Sequence, residues 1–194
     1  MKKITYVTGN WAKILSARQI LEPLGYEVEQ IKMDVPELQS DLIEDVAKYS
    51  AKWASDNLKK SVLKNDSGLC IEALNGFPGP YTHYVDDTLK EDGILKLLEG
   101  VENREAHFEE VLAYCEYGKE PVVFKSITKG TIKADDRGGS VCTDEGKVLY
   151  RNQCLRNNKA GRHIKKNLLS FVSGERRCDS CVFWKAVWTL SKQQ

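Results

Sequence analysis

The stretch NDSGLCIEALNGFPGPY, Asn65 to Tyr81, sets one carboxylate between an apolar run and a turn dense in glycine and proline. Ser61-Val62-Leu63 just before it reads as a short buried strand. Asn65-Asp66-Ser67-Gly68 is turn chemistry, so Asp66 is expected to emerge at a strand end. Carboxylates at such positions often hold hard cations; the alternative is an Asp that caps its own turn through the backbone. Leu69-Cys70-Ile71 resumes the apolar pattern, and two glycines and two prolines between Ala73 and Pro80 then break regular structure. Asn75-Gly76 signals a tight turn, and the prolines stiffen the chain beyond it. The whole stretch reads as the floor of an active site.

Working outward to the N-terminal side, Lys3-Ile4-Thr5-Tyr6-Val7 is a β-branched and aromatic run that ends at Thr8-Gly9-Asn10. Ala12 to Leu24 then has helical spacing, with Ile14, Leu15, Ala17, Ile20, Leu21 and Leu24 as its apolar positions. A strand, glycine turn and helix in this order aim backbone N–H groups and the positive helix end at an anion, and Lys13 in the first helical turn can add a charge-assisted contact to phosphate. Asn10 either caps the helix or donates its amide to a phosphate oxygen. Gly25 closes the helix and Tyr26 to Ile31 alternates as a second strand. In the polar loop after it, Glu37 is a candidate second oxygen ligand for a magnesium ion held by Asp66. Ser40 to Leu58 is expected to be a helix, with Leu42, Ile43, Val46, Ala47, Ala51 and Ala54 near one face.

On the C-terminal side, Asp92 to Leu98 reads as a helix. Ala106 to Tyr114 and Val122 to Lys129 read as two strands joined through Glu116 to Lys119, and Gly130-Thr131-Ile132 as the start of another. At 194 residues the chain is long enough for a sizeable core and is expected to form a single domain. No run of about 18 apolar residues is present, and Met1-Lys2-Lys3 leads directly into a strand, so a cytoplasmic protein without a membrane span is expected. Net charge is +1, but residues 145–194 hold 11 Lys or Arg against 3 Asp or Glu, leaving 18 against 25 before them. That asymmetry suits either a basic face toward polyanionic ligands or an ordinary solvated helix face, as does the amphipathic basic segment Lys159 to Phe171.

Four motifs in this order, TGNWAK (Thr8 to Lys13), PELQ (Pro36 to Gln39), NDSGL (Asn65 to Leu69) and ALNGFPGPY (Ala73 to Tyr81), resemble the inosine triphosphate pyrophosphatase family. The resemblance spans residues 1 to about 132 and thins over 133–194, the basic, cysteine-containing part. It implies an α/β fold with a mixed central sheet flanked by helices, two lobes with a cleft, and commonly a homodimer. It also implies Mg2+-dependent hydrolysis of a non-canonical purine nucleoside triphosphate to the monophosphate and pyrophosphate. Carried over residue by residue, it makes Asp66 and Lys13 catalytic and Glu37 and Asp66 the metal carboxylates. Thr8, Gly9, Asn10, Lys13, Ser67, Gly68 and Arg162 become the substrate contacts.

The departures fall on functional positions. The family usually carries two adjacent acids before the Ser-Gly, and here the first is Asn65, which removes a negative charge beside the metal site. A family lysine falls on Ser50, with Lys48 and Lys52 nearby. The base-binding segment after Arg137-Gly138-Gly139 carries no aromatic, and of the family's Ser-His-Arg only Arg162 stands, with His163 displaced by one. Tyr150, Trp184 and Trp188 are either a new stacking surface or core aromatics. Cys70 and Cys115 read as core hydrophobes. Cys142, Cys154, Cys178 and Cys181 are either free thiols or a zinc set with one CxxC pair. No Ser-His-Asp or Cys-His pattern supports nucleophilic catalysis. The competing functional reading is a nucleotide-binding or interaction protein on the same fold that has lost turnover; nucleic-acid binding is not expected beyond a zinc-stabilised form of that reading.

Overall fold

The structure is a computed structural model that describes residues 2–133, 140–143 and 148–150. Arg162, His163, Cys154, Cys178, Cys181, Trp184, Trp188 and the Lys159 to Phe171 segment lie outside the described residues, as do the side chains of Cys142 and Tyr150.

The elements run β1 (Lys2–Val7), α1 (Trp11–Leu21), a 3-10 turn (Glu22–Leu24), β2 (Tyr26–Ile31), α2 (Ile43–Leu58), β3 (Val62–Ile71) and a second 3-10 turn (Glu72–Leu74). They continue as β4 (Pro78–Gly79), α3 (Thr82–Thr88), α4 (Lys90–Leu97), β5 (Glu105–Cys115), β6 (Val122–Lys133), β7 (Ser140–Thr143) and β8 (Val148–Tyr150). The strand order is β2-β1-β3-β5-β6-β7-β8, with β4 beside β3. β1 is parallel to β2 and β3, while β4 on β3, β7 on β6 and β8 on β7 are antiparallel, so the sheet is mixed as expected.

The chain divides into two compact units. In the first, whose described residues are 2–68 and 109–127, α1 buries Ile14, Ala17 and Leu21 at helical spacing against Ile4, Tyr6, Val28, Leu63, Leu112 and Phe124 of the strands. The α-helix ends at Leu21, three residues short of the expected Leu24, because Pro23 has no N–H to continue the ladder. Gly25 then turns the chain at φ 85°, its N–H donating to the Glu22 carbonyl at 3.0 Å. α2 begins at Ile43 and not at Ser40. The Ser40 hydroxyl accepts the Leu42 N–H at 3.1 Å and reaches the Asp45 carboxylate at 3.2 Å, a local turn that competes with helix.

The largest correction concerns Asp66. It does not emerge at a strand end: β3 runs unbroken for 10 residues through Asn65-Asp66-Ser67-Gly68. Val62 and Leu63 pair with Thr5 and Tyr6 of β1, and Leu69 and Cys70 with Gly79 and Pro78 of β4. Held by ladders at both ends, the polar middle stays extended, so pairing overrides local turn preference. Similarly, Gly130-Thr131-Ile132 does not open a new strand but finishes β6, where Gly130 and Ile132 pair with Thr143 and Val141.

The second unit's described residues, 69–108, 128–133, 140–143 and 148–150, contain the expected turn. Asn75 and Gly76 both take positive φ, and the Gly76 N–H closes onto the Ile71 carbonyl at 2.9 Å. Thr82 fastens it: its buried hydroxyl donates to the Gly79 carbonyl at 2.7 Å and accepts the Leu69 N–H at 2.8 Å. α3, an element the sequence pattern does not mark, comes directly after, and the helix expected over Asp92 to Leu98 is α4. Leu69, Ile71, Val85, Ile94, Leu98, Ala106 and Ile132 form this unit's core.

Candidate active site

Of the residues singled out from the sequence, Thr8, Gly9, Asn10, Lys13, Glu37, Asp66, Ser67 and Gly68 belong to the first unit, where β1 hands over to α1, and Arg162 lies outside the described residues. The Thr8 N–H donates to the Ile31 carbonyl at 3.0 Å and the Thr8 carbonyl accepts the Gln30 amide at 2.9 Å, so β2 fixes the turn from the side. The Thr8 hydroxyl accepts the Asn10 N–H at 3.1 Å. Asn10 acts as the cap: its Oδ1 accepts the Lys13 N–H at 3.4 Å and its carbonyl the Ile14 N–H at 3.3 Å. Gly9 is exposed, and no atom lies within 4 Å of where a Cβ would stand, so an anion can approach the backbone closely.

Register brings β3 alongside. With Thr5 opposite Val62 and Tyr6 opposite Leu63, continuing the parallel count sets Thr8 and Gly9 level with Asn65 and Asp66. Asp66 therefore lies just past the C-terminal end of β1, beside the turn. Its Oδ1 accepts the Ser67 N–H at 2.9 Å, which is the local backbone contact expected of a structural Asp. That contact does not account for its surroundings. Burial pushes the Asp66 carboxyl above its ordinary range; the Ser67 N–H and the Lys13 and Lys64 cations oppose the shift, and Glu37 adds to it. Lys13 is the counterpart. Burial holds its ammonium below the ordinary lysine value against the pull of Asp66 and Glu110, with Lys64 pushing the same way as burial.

Thr8, Gly9, Asn10, Lys13, Asp66 and Ser67 thus lie around the turn, with Gly68 buried next in β3, while Glu37, exposed on the loop after β2, is linked to them only through its charge acting on Asp66. Lys64 and Glu110 belong to the same group, and sequence reasoning misses both. The signal for Lys64 is its two-residue spacing from Asp66, which puts both on one side of a strand once β3 is recognised as continuous. Nothing in the β5 sequence marks Glu110 beside its neighbour Glu109; burial pushes it above the ordinary carboxylate range, with Lys13 opposing. Ser50 is buried in α2. Lys48 and Lys52, the neighbours of the family lysine position, each donate to a carboxylate on their own helix, Glu44 and Asp56, at 2.6 Å.

Asn65 is only 8% exposed, and neither atom of its amide has a hydrogen-bond partner among the described residues. An unmet buried amide costs about 1–3 kcal/mol. A second carboxylate there, desolvated and next to Asp66, would add like-charge repulsion to that cost.

Two carboxylates that repel each other, with open backbone nearby, are a fitting donor set for a hard divalent cation. No group of three or more His, Cys, Asp or Glu is gathered for a metal among the described residues.

The parallel β1 and β3, the strand-turn-helix opening and the carboxylate pair define a mixed α/β protein of the kind that carries anion-binding turns. The chain belongs to the Ham1 family, which residues 4–142 match. It is 52% identical over 136 residues to a dITP/XTP pyrophosphatase of Methanopyrus kandleri, covering 70% of this chain and 72% of that one. It is 46% identical over 138 residues to the dITP/XTP pyrophosphatase of Methanosarcina acetivorans, covering 71% and 75%. Among solved structures, the Staphylococcus aureus Ham1 protein superposes with a TM-score of 0.64 at 26% identity, over 90% of this chain and all of that one.

Proposed function

We propose that this chain is a dITP/XTP pyrophosphatase, hydrolysing non-canonical purine nucleoside triphosphates to the monophosphate and pyrophosphate in the cytoplasm, as a homodimer. Its membership of the Ham1 family and its identity to dITP/XTP pyrophosphatases support the activity. What supports the site is the β1–β3 register, which sets Asp66 beside the Thr8-Gly9-Asn10 turn, together with the charges of Lys13 and Glu37 that act on Asp66.

In this reading the turn amides and the Lys13 ammonium take the triphosphate oxygens, and Ser67 and Gly68 extend the contact surface along β3. Arg162 is the substrate contact carried from the family pattern. Glu37 and Asp66 would hold Mg2+, which supplies charge neutralisation on the phosphates and a more acidic water. Asp66 Oδ1 accepts the Ser67 N–H, which leaves Oδ2 as the oxygen available to orient the attacking water. Water adds to the α-phosphorus, passing its proton to the Asp66 carboxylate, as the bond to the α–β bridging oxygen breaks and pyrophosphate leaves.

The test is pyrophosphate release with Mg2+ across dITP, XTP, ITP and the ordinary ribo- and deoxyribonucleoside triphosphates. dITP and XTP are expected to exceed the ordinary nucleotides by about 10²-fold or more in kcat/KM, as hydrogen-bond readout of a base edge permits. Asp66→Asn should lower kcat by about 10³-fold. Folded protein that releases pyrophosphate from none of them would overturn the activity and leave a nucleotide-binding protein on this fold.

A further inference from the structure

The direction of the peptide between Thr8 and Gly9 decides what an anion meets at the turn. In a planar trans peptide the C=O and the N–H point opposite ways. The Thr8 carbonyl accepts the Gln30 side-chain amide at 2.9 Å, and the Thr8 N–H donates to the Ile31 carbonyl at 3.0 Å, so both groups face β2. The Gly9 N–H therefore points away from β2. Because β1 lies between β2 and β3, that is the β3 side, in the crevice outside the ends of two parallel neighbours where the strand order reverses.

The opposite arrangement is open to this backbone. Rotating the peptide by half a turn would aim the Thr8 carbonyl oxygen at the anion and withdraw the N–H, and it demands a positive φ at the residue that follows. Gly9 has a negative φ here, but glycine adopts the positive one without strain, and no atom lies within 4 Å of its Cβ position to block the movement. Of the two bonds that tie Thr8 to β2, the one to Ile31 belongs to the preceding peptide. Only the Gln30 bond bears on this one.

We infer that Gln30 is a positioning residue for the pyrophosphatase reaction: its side-chain amide holds the Thr8–Gly9 peptide in the orientation that offers the Gly9 N–H to a triphosphate oxygen. The inference rests on the phosphate role proposed for the turn. Thr8 is half-buried and Gly9 exposed, so water could satisfy the Thr8 carbonyl, and ordering a glutamine costs side-chain entropy. What the bond adds is direction.

The requirement for a positive φ supplies the test, because alanine at position 9 resists the rotated state without help from Gln30. Tripolyphosphate affinity in the presence of Mg2+ is measured by calorimetry for the wild type, Gln30→Met, Gly9→Ala and the double variant. Gln30→Met, which keeps the length and removes the donor, is expected to weaken binding about five- to tenfold in the wild-type background. In the Gly9→Ala background it should weaken binding less than twofold, whatever Gly9→Ala costs by itself. The melting temperature of Gln30→Met should stay within about 2 °C of wild type. In 15N spectra the Gly9 amide resonance should shift on adding tripolyphosphate, and shift less in Gln30→Met. Equal losses from Gln30→Met in both backgrounds would overturn the inference, since a role in packing does not depend on φ at position 9. Unchanged affinity in Gln30→Met, or a Gly9 resonance that tripolyphosphate does not move, would overturn it too. A wild type that binds no tripolyphosphate would remove the phosphate role of the turn and this inference with it, whereas binding with a failed cycle removes the inference alone.

Discussion

The charges along α2 and the charges around Asp66 lie in one structural unit and are displaced in opposite directions. On α2, Lys48 and Glu44 and likewise Lys52 and Asp56 form ion pairs at four-residue spacing. The hydrogen bond in each pair holds Glu44 below, and Lys48 and Lys52 above, their ordinary values. Around the turn every shift runs the other way. Burial raises Asp66 and Glu110 and lowers Lys13 and Lys64, and the opposite charges nearby reduce those shifts without reversing them. The helix pairs are complete within the protein and in contact with water. The site charges are desolvated and incompletely matched, which is the condition of groups arranged for a ligand that brings its own charge.

Lys13→Met gives the largest expected effect in this contrast. Removing one preorganised charge from a phosphoryl site should lower kcat/KM by about 10²–10³-fold. The nucleotide-free protein should melt about 2–4 °C higher, since an ammonium held at a cost is gone. The sign comes from linkage. The folded-state value of Lys13 lies below the ordinary 10.5, so its penalty is full at pH below the folded value and fades as pH rises toward 10.5. The advantage of the Met variant should therefore be present at pH 7 and shrink through the alkaline range. Thermal melts of the two proteins from pH 7 to 10.5 check it; a lower melting temperature for the variant at pH 7 would place Lys13 with the satisfied charges of α2.

The same division separates the parts of the site that are legible in the sequence from those that are hidden. Strand, turn and helix at Thr8 to Lys13 can be read directly because their signals are local: a β-branched run, a glycine, then apolar residues at helical spacing. Tyr26 to Ile31 is legible to the residue because its alternation and Gly25 agree. Asn65 to Gly68 misleads because four turn-forming residues lie where ladders formed by distant partners, β1 and β4, keep the chain extended. Glu110 is hidden for a related reason. The cation that acts on it is Lys13, nearly 100 residues away in sequence, and nothing in the β5 stretch distinguishes it from Glu109, which ends in an ordinary ion pair with Lys125.

Lys64→Met sharpens the comparison at intermediate size. Lys64 shares a side of β3 with Asp66, and its charge favours the ionised carboxylate. Its removal should lower kcat/KM about fivefold, because Asp66 loses one of the two cations that oppose its burial. The melting temperature of the nucleotide-free protein should rise by about 2 °C. A variant that loses stability with activity unchanged would show that Lys64 is a structural partner, separate from the site.

The smallest expected effect is the one that most directly tests the division. A lysine on α2 is a position the family pattern uses, and here it is Ser50, which is buried. If the function of that lysine had moved two residues along α2, to Lys48 or Lys52, that side chain would have to release its carboxylate and act at the site. Their charged neighbours argue otherwise: Lys48 answers to Glu44 and Asp45, and Lys52 to Asp56 and Glu120 with the Cys115 thiol, none of which lies at the turn. Exposed pairs of this kind contribute little to stability and are screened by salt. The double variant Lys48→Met, Lys52→Met should accordingly keep kcat/KM for dITP within about twofold of wild type and its melting temperature within about 2 °C. Increasing salt should narrow even that difference. A loss of tenfold or more in kcat/KM at an unchanged melting temperature would break the contrast, because it would mean that a lysine satisfied in the nucleotide-free protein exchanges its carboxylate for a phosphate when substrate binds.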